Sequence, residues 1–290
     1  MKKVYSFFED MLFYPKWYHW PFIFILLPFS FIYYLIVLIK FPRSYENLNI
    51  PVISIGNIIV GGSGKTPLTK AIINYYKNKK ITVILRGYKR KSKGLVLVKD
   101  FKKILADVDI SGDEAMEIAL FTNAAVIVSK DRKKGIIEAK RIGADFVILD
   151  DGFDKPFRKL NIVIDKKIKN PFVLPAGGYR YPRIFLKFAD IVLKDIKREI
   201  KVPSGDILIS GISNPKRLLS FWNKEYKIFP DHYEYKWKDL KKYKNKIVVT
   251  TAKDYVKLKK FPLNLKIIEL NVKIPAQVIK KIDDYLIKFQ

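Results

Sequence analysis

Hydrophobic and polar positions divide the chain into two stretches of different character. From residue 17 to residue 39 there is no Lys, Arg, Asp or Glu, and the run PFIFILLPFSFIYYLIVLI is long and apolar enough to cross a bilayer or lie deeply in one. Lys16 and Lys40 bracket it, and Trp17, Tyr18 and Trp20 crowd its first end, where amphipathic rings favour the headgroup layer. Pro28 is placed to kink a helix there. The pattern predicts a membrane anchor over residues 1–45, with a buried core helix as the alternative. Glu9 and Asp10 interrupt the leader and no small-x-small site follows the run, which tells against a cleaved signal peptide. Residues 2–16, with Phe7, Phe8, Met11, Leu12 and Phe13 among charges, predict an interfacial amphipathic helix.

From about residue 50 the pattern changes to short apolar runs alternating with amphipathic stretches. Buried strands are predicted at 52–55, 81–85, 125–128, 146–149, 162–164, 191–193, 207–209 and 247–250, and helices at 66–76, 114–121, 133–141, 215–222 and 252–258. Strands alternating with helices imply a parallel sheet covered on both faces. Pro171, Pro175, Pro182 and Pro203 mark the joint between two lobes. The expected organisation is an anchor at 1–45, a core at 46–170, an inter-lobe segment at 171–205 and a C-terminal α/β lobe at 206–290.

Composition narrows the chemistry. With 49% apolar and 29% charged residues the chain has a globular balance, and without cysteine it has no thiolate metal site, thiol nucleophile or disulfide. Lys and Arg total 56 against 28 acidic residues, a formal net charge of +28. Such an excess suits a polyanionic partner, whether nucleic acid, an anionic membrane surface or a phosphorylated substrate. A Lys-rich genome composition gives the same number, since glutamine occurs only at Gln277 and Gln290.

The strongest local signal is Gly56-Asn57-Ile58-Ile59-Val60-Gly61-Gly62-Ser63-Gly64-Lys65-Thr66, placed after a predicted strand and before a predicted helix. That is phosphate-loop context: glycines turn backbone N–H groups inward around an anion, and the helix N-terminus adds partial positive charge. Lys65 is positioned for the outer phosphates and Thr66 for Mg²⁺, while Pro67 fits the first helical turn. The strict pattern has Gly where this chain has Ile59, so the loop is a variant.

A phosphate-loop enzyme needs a carboxylate for Mg²⁺ at the end of a neighbouring buried strand, and Asp150 and Asp151 end the run 146–149 in that way. Gly112-Asp113-Glu114 opens an amphipathic helix, where Asp113 by itself makes a helix cap. His232 is the one imidazole outside the apolar segment, which holds His19, and is a general-base candidate. Residues 86–93, RGYKRKSK, form an anion-contacting loop or a solvated surface run. They carry one aromatic, Tyr88, where a nucleic-acid groove usually interleaves several.

Taken together these residues resemble the tetraacyldisaccharide 4′-kinases of lipid A synthesis. The resemblance covers nearly the whole chain: an N-terminal apolar helix, GGSGKTP at 61–67, RGY at 86–88, GDE at 112–114, DDGF at 150–153, LPAG at 174–177, Asp231-His232, and TAKDYVKL at 251–258. It implies transfer of the ATP γ-phosphoryl group to the 4′-hydroxyl of a lipid-linked glucosamine disaccharide 1-phosphate at the cytoplasmic face of the inner membrane. It also implies a catalytic Asp–His pair, on Asp113 and His232. Two departures stand out: the family's usual DDGFQH continues here as Asp154-Lys155, and its usual acidic residue after the LPAGxxR stretch is Tyr181, following Arg180.

The expected protein is α/β: a P-loop NTPase-like parallel-sheet core, a second α/β lobe and an N-terminal membrane-anchoring helix. Lys65 joins Asp113 and His232 in catalysis, with ATP held by residues 59–66 (Ile59, Val60, Gly61, Gly62, Ser63, Gly64, Lys65, Thr66) and Arg86, and Mg²⁺ by Thr66, Asp150 and Asp151. Arg86 or Arg180 adds charge stabilisation. The expected partners are the lipid A disaccharide precursor and the membrane; no nucleic acid and no protein partner are implied. The alternative is a membrane-associated P-loop ATPase acting on another membrane or nucleic-acid partner.

Overall fold

The computed structural model describes residues 2–61, 64–194, 196–212, 215–231 and 233–289. In chain order the elements are α1 (Lys2–Phe13), α2 (Trp20–Lys40), β1 (Val52–Asn57), α3 (Lys65–Tyr75), β2 (Ile81–Leu85), β3 (Val96–Lys99), α4 (Val108–Ser111), α5 (Asp113–Phe121), β4 (Ala125–Val128), α6 (Arg132–Arg141) and β5 (Phe146–Asp150). They continue with β6 (Leu160–Ile164), β7 (Ile191–Leu193), β8 (Arg198–Lys201), β9 (Ile207–Ser210), α7 (Lys216–Leu219), β10 (Glu225–Ile228), α8 (Trp237–Leu240), β11 (Ile247–Thr251), α9 (Ala252–Leu258), β12 (Asn264–Val272) and α10 (Ala276–Ile287).

These elements build a seven-stranded sheet of order β3-β4-β2-β5-β1-β6-β7 and a five-stranded sheet of order β10-β9-β11-β12-β8. β1, β2, β4, β5 and β6 are buried at every position, as strands flanked on both faces must be. The antiparallel strands β3 and β8 lie at sheet edges and keep partly exposed positions.

The chain divides into two compact units. Met1–Lys65, Leu149–Ile196 and Ala276–Gln290 make the first, in which β1 pairs in parallel with β6, and β6 with β7. Its apolar core gathers Phe41, Ile58, Ile59, Phe153, Val163, Tyr179 and Phe185. Thr66–Ile148 and Lys197–Pro275 make the second, which carries the parallel pair β2–β4 and the whole five-stranded sheet. There Ile207, Ile209, Tyr235, Leu240, Val248 and Leu258 form a core.

Every buried strand predicted from apolar runs is present, and the helix predicted at 215–222 shortens to Lys216–Leu219. The elements with no counterpart in the sequence reading are mostly exposed or half-exposed: β10 reads EYKI and buries no residue, β12 reads NLKIIELNV and buries only Ile268, and α10 buries Val278 and Ile282, four residues apart, and leaves its other residues partly or fully exposed. A continuous apolar run signals burial on both faces, and none of these segments is covered on both.

The apolar run forms the continuous helix α2, with Pro28 inside it, and is the one candidate membrane span among the described residues by length and composition. It is not a buried core helix, since only 17% of its most apolar window is buried. Phe22, Ile25, Phe29, Ile32, Ile36 and Ile39 form an exposed strip. The other side packs on the first unit through Ile23, Ser30, Tyr33, Tyr34 and Val37.

Candidate active site

β1 delivers Asn57 at its buried end, where the chain leaves the sheet and enters the glycine loop. The Asn57 amide donates to Ile59 O at 2.9 Å, bending the chain back on itself. Gly61 (φ 82°) and Gly64 (φ 98°) adopt left-handed backbone that other residues resist. Gly62 and Ser63 lie outside the described residues. Ile59, the departure from the strict pattern, is buried in the core beside Phe153 and Tyr179, so the packing accounts for an aliphatic side chain where glycine is usual. Val60 spends its N–H on Gly178 O at 2.9 Å.

Lys65 opens α3, whose first turn has no acidic residue. A cation there opposes the helix dipole and favours an anion at the same place. Lys65 Nζ donates to Asn57 Oδ1 at 3.3 Å, and Arg180 Nη2 donates to the same oxygen at 2.9 Å. Arg180 also grips Asp151 with both arms, Nη1 to Oδ2 at 2.9 Å and Nη2 to Oδ1 at 2.6 Å. Burial opposes the Arg180 charge, but the hydrogen bonds and charge of Asp151 outweigh it and hold the guanidinium above its ordinary value. Asp151 has φ 59°, and its N–H donates to Ile55 O at 3.0 Å, which ties the end of β5 to β1. Asp150 ends β5 and is buried. Thus Lys65, Asn57, Asp151 and Arg180 form one hydrogen-bonded set within the first unit.

The two departures also lie in that unit. Asp154 and Lys155 pair with each other at 3.0 Å, and Tyr181 stacks near Arg180, whose guanidinium carbon is 5.7 Å from the ring centre. Burial pushes the Tyr181 phenol up, and Asp154 pushes it further.

The second unit holds Asp113, Thr66 and Arg86. Asp113 is not the helix cap the sequence suggests: Gly112 occupies the cap and Asp113 is the first residue of α5. Its carboxylate is paired with Lys257 Nζ of α9 at 3.1 Å. Next to this pair, Asp254 is fully buried and accepts from Ser210 Oγ, Gly211 N and Tyr235 OH, each within 3.0 Å. Burial, then the charge of Asp254, raises the Tyr235 phenol. Lys257 Nζ lies 5.5 Å from the centre of the Tyr235 ring. His232 lies outside the described residues, but the chain on either side of it is tied to α9 by the ion pair Asp231–Lys253 (3.1 Å) and by Tyr235–Asp254.

Thr66 is half-buried in the first turn of α3, and Arg86 is exposed directly after β2. In the cationic loop that follows, Arg90 donates to the carbonyls of Val128 and Gly94, so it is a structural residue. Lys91 pairs with Asp109 at 2.8 Å, but with both side chains at least 60% exposed that pair contributes little.

Asn57 and Lys257 are the residues that sequence reasoning missed. A polar residue ending an apolar strand was the available signal for Asn57. For Lys257 the signal was its place in the TAKDYVKL run, which does not name its partner, since Asp113 lies 144 residues away (257 minus 113). No cluster of three or more His, Asp or Glu occurs among the described residues. Magnesium does not require one: it takes one or two carboxylates with phosphate and water, and the hydroxyl of Thr66 and the carboxylates of Asp150 and Asp151 are the hard oxygen donors it prefers.

A parallel strand ending in a glycine loop, a lysine opening the next helix and acids ending the neighbouring strand define a phosphate-loop α/β protein. Known proteins narrow that class. The model of the family described as tetraacyldisaccharide-1-P 4′-kinase matches residues 22–206 and 194–287, and the chain belongs to this family. A tetraacyldisaccharide 4′-kinase of Aliarcobacter butzleri is 42% identical over 100% of this chain and 99% of its own length. One from Campylobacter jejuni is 40% identical over 97% of this chain and 96% of its own. The crystal structure of LpxK from Aquifex aeolicus in complex with ATP is similar, with a TM-score of 0.79 at 27% identity, covering 92% of this chain and 99% of that one.

Proposed function

We propose that this protein is a membrane-associated kinase that transfers the γ-phosphoryl group of ATP to the 4′-hydroxyl of a lipid-linked glucosamine disaccharide 1-phosphate, the lipid A precursor, at the cytoplasmic face of the inner membrane. The observation that carries this reading is the set Lys65–Asn57–Arg180–Asp151 beside the glycine loop, in a chain of this family.

Phosphoryl transfer asks a protein mainly for positioning and charge stabilisation. Lys65 and Arg180 supply cationic donors for the phosphate oxygens, preorganised by their shared acceptor Asn57. Thr66, Asp150 and Asp151 are the residues to hold Mg²⁺, which supplies charge neutralisation on the phosphates when bound. Asp151, with both oxygens on Arg180, also fixes the guanidinium. Arg86, exposed after β2, adds a further contact for the nucleotide. His232 accepts the proton of the sugar hydroxyl and Asp113 orients it. The exposed strip of α2 sits in the lipid, and surplus Lys and Arg near the surface add about 1 kcal/mol each on anionic headgroups.

The test is transfer of ³²P from γ-labelled ATP to a glucosamine disaccharide 1-phosphate lipid by the purified full-length protein in detergent micelles. Label on the 4′-oxygen supports the reading. ATP hydrolysis with no labelled lipid would overturn it in favour of an ATPase.

A further inference from the structure

A helix that only anchors a protein needs apolar side chains, and a hydroxyl within it usually returns to a carbonyl of its own preceding turn. In α2 two hydroxyls do otherwise. Ser30 Oγ donates to Val173 O at 3.0 Å and accepts from Ala176 N at 2.8 Å, bridging the turn 173–176. One turn further along the same face, Tyr33 OH donates to Arg180 O at 3.1 Å. Ser30 is buried, so both of its bonds are made away from water.

The segment gripped in this way lies against the glycine loop. Gly178 O accepts from Val60 N at 2.9 Å, and Arg180 N donates to Ile58 O at 2.7 Å. Gly178 also lets α1 approach: a side chain there would begin 2.9 Å from the Phe13 ring. At its far end the segment presents the Arg180 guanidinium to Asn57 Oδ1, the atom that receives Lys65 Nζ. The chain of contacts therefore runs from Tyr33 through Arg180 and Asn57 to Lys65, entirely within the first unit.

We propose that Ser30 and Tyr33 are positioning residues of the phosphoryl-transfer site, and that α2 sets the pose of Arg180 and Lys65 as well as holding the protein to lipid. The proposal rests on the reading of the glycine loop as the ATP site. It explains why Ser30 and Tyr33 spend their hydroxyls on the segment 173–180 rather than within their own helix.

The experiment compares full-length wild type with Tyr33→Phe, Ser30→Ala and the double variant. Both substitutions delete one polar atom and leave the helix no less apolar, so liposome flotation should stay at the wild-type level. ATP affinity and kcat in detergent micelles should fall, on the order of ten-fold for the double variant, as small displacements of a positioned group do, while KM for the lipid acceptor holds. In an Arg180→Ala background Tyr33→Phe should cost nothing further, which a merely structural bond would not produce. Wild-type ATP affinity and kcat in the double variant, measured below the thermal midpoints of both proteins, would overturn the proposal even if its midpoint is lowered. Additive losses in the Arg180→Ala background would overturn it too. If wild type itself neither binds nor uses ATP, the failure belongs to the reading of the loop.

Discussion

Lys257 Nζ lies 3.1 Å from the Asp113 carboxylate, with the two side chains only 11% and 15% exposed. The pair joins α9 to the first turn of α5, and α9 also holds both flanks of His232 through Lys253 and Asp254. One short helix thus holds Asp113 together with the described residues on either side of position 232. Lys257→Met should lower stability on the order of 3 kcal/mol, because it leaves a largely buried carboxylate without its counter-ion. Denaturant unfolding measures this. At temperatures where the variant is folded, kcat should fall while KM for ATP holds. A stability loss without a kcat effect would confine Lys257 to packing.

The nucleotide end of the site predicts a different signature. Lys65→Ala should reduce kcat by about 10²–10³, the usual cost of deleting one donor to developing charge, and leave circular dichroism unchanged. Thr66→Ala should shift the Mg²⁺ concentration needed for half-maximal rate. Near-normal turnover in folded Lys65→Ala would remove the phosphate-loop assignment.

If Asp113 acts by orienting His232, the two work as a unit. Each alanine variant should then cost a similar factor, on the order of 10²–10⁴, and the double variant little more. A full double-mutant cycle on kcat/KM distinguishes this from separate roles, which would give additive losses.

Lys159 is buried with its ammonium on the carbonyls of Lys155 and Phe157, and burial pushes it down from 10.5 to about 8. Between those values the unfolded chain holds more protons than the folded one, so stability rises with pH across the window, and below about 8 the penalty for the buried charge is fully present. The stability of wild type relative to Lys159→Met should therefore climb from pH 8 to pH 10, by up to about 1.4 kcal/mol per unit. Urea titrations of both proteins across that range measure the difference, and a flat difference would show that Lys159 titrates normally.

The buried strands, the apolar helix and the glycine loop with Lys65 were legible along the chain because each is a local pattern. A run such as VISI is apolar because both faces of the strand are covered, and glycines before Lys-Thr are needed wherever backbone wraps an anion. The exposed edge strand β10 and the half-exposed β12 were not legible, since a strand with one buried face or none leaves at most a weak alternation that charged residues mask. The tertiary structure decided the partners. Asp113 looks like a helix cap in sequence and becomes the partner of Lys257 only when α9 packs on α5; Arg180 meets Asp151, and Tyr33 meets Arg180, across separations of 29 and 147 residues. Hydrogen bonds and ion pairs act over about 3 Å, and sequence periodicity carries no information about which distant side chains the fold brings within that reach.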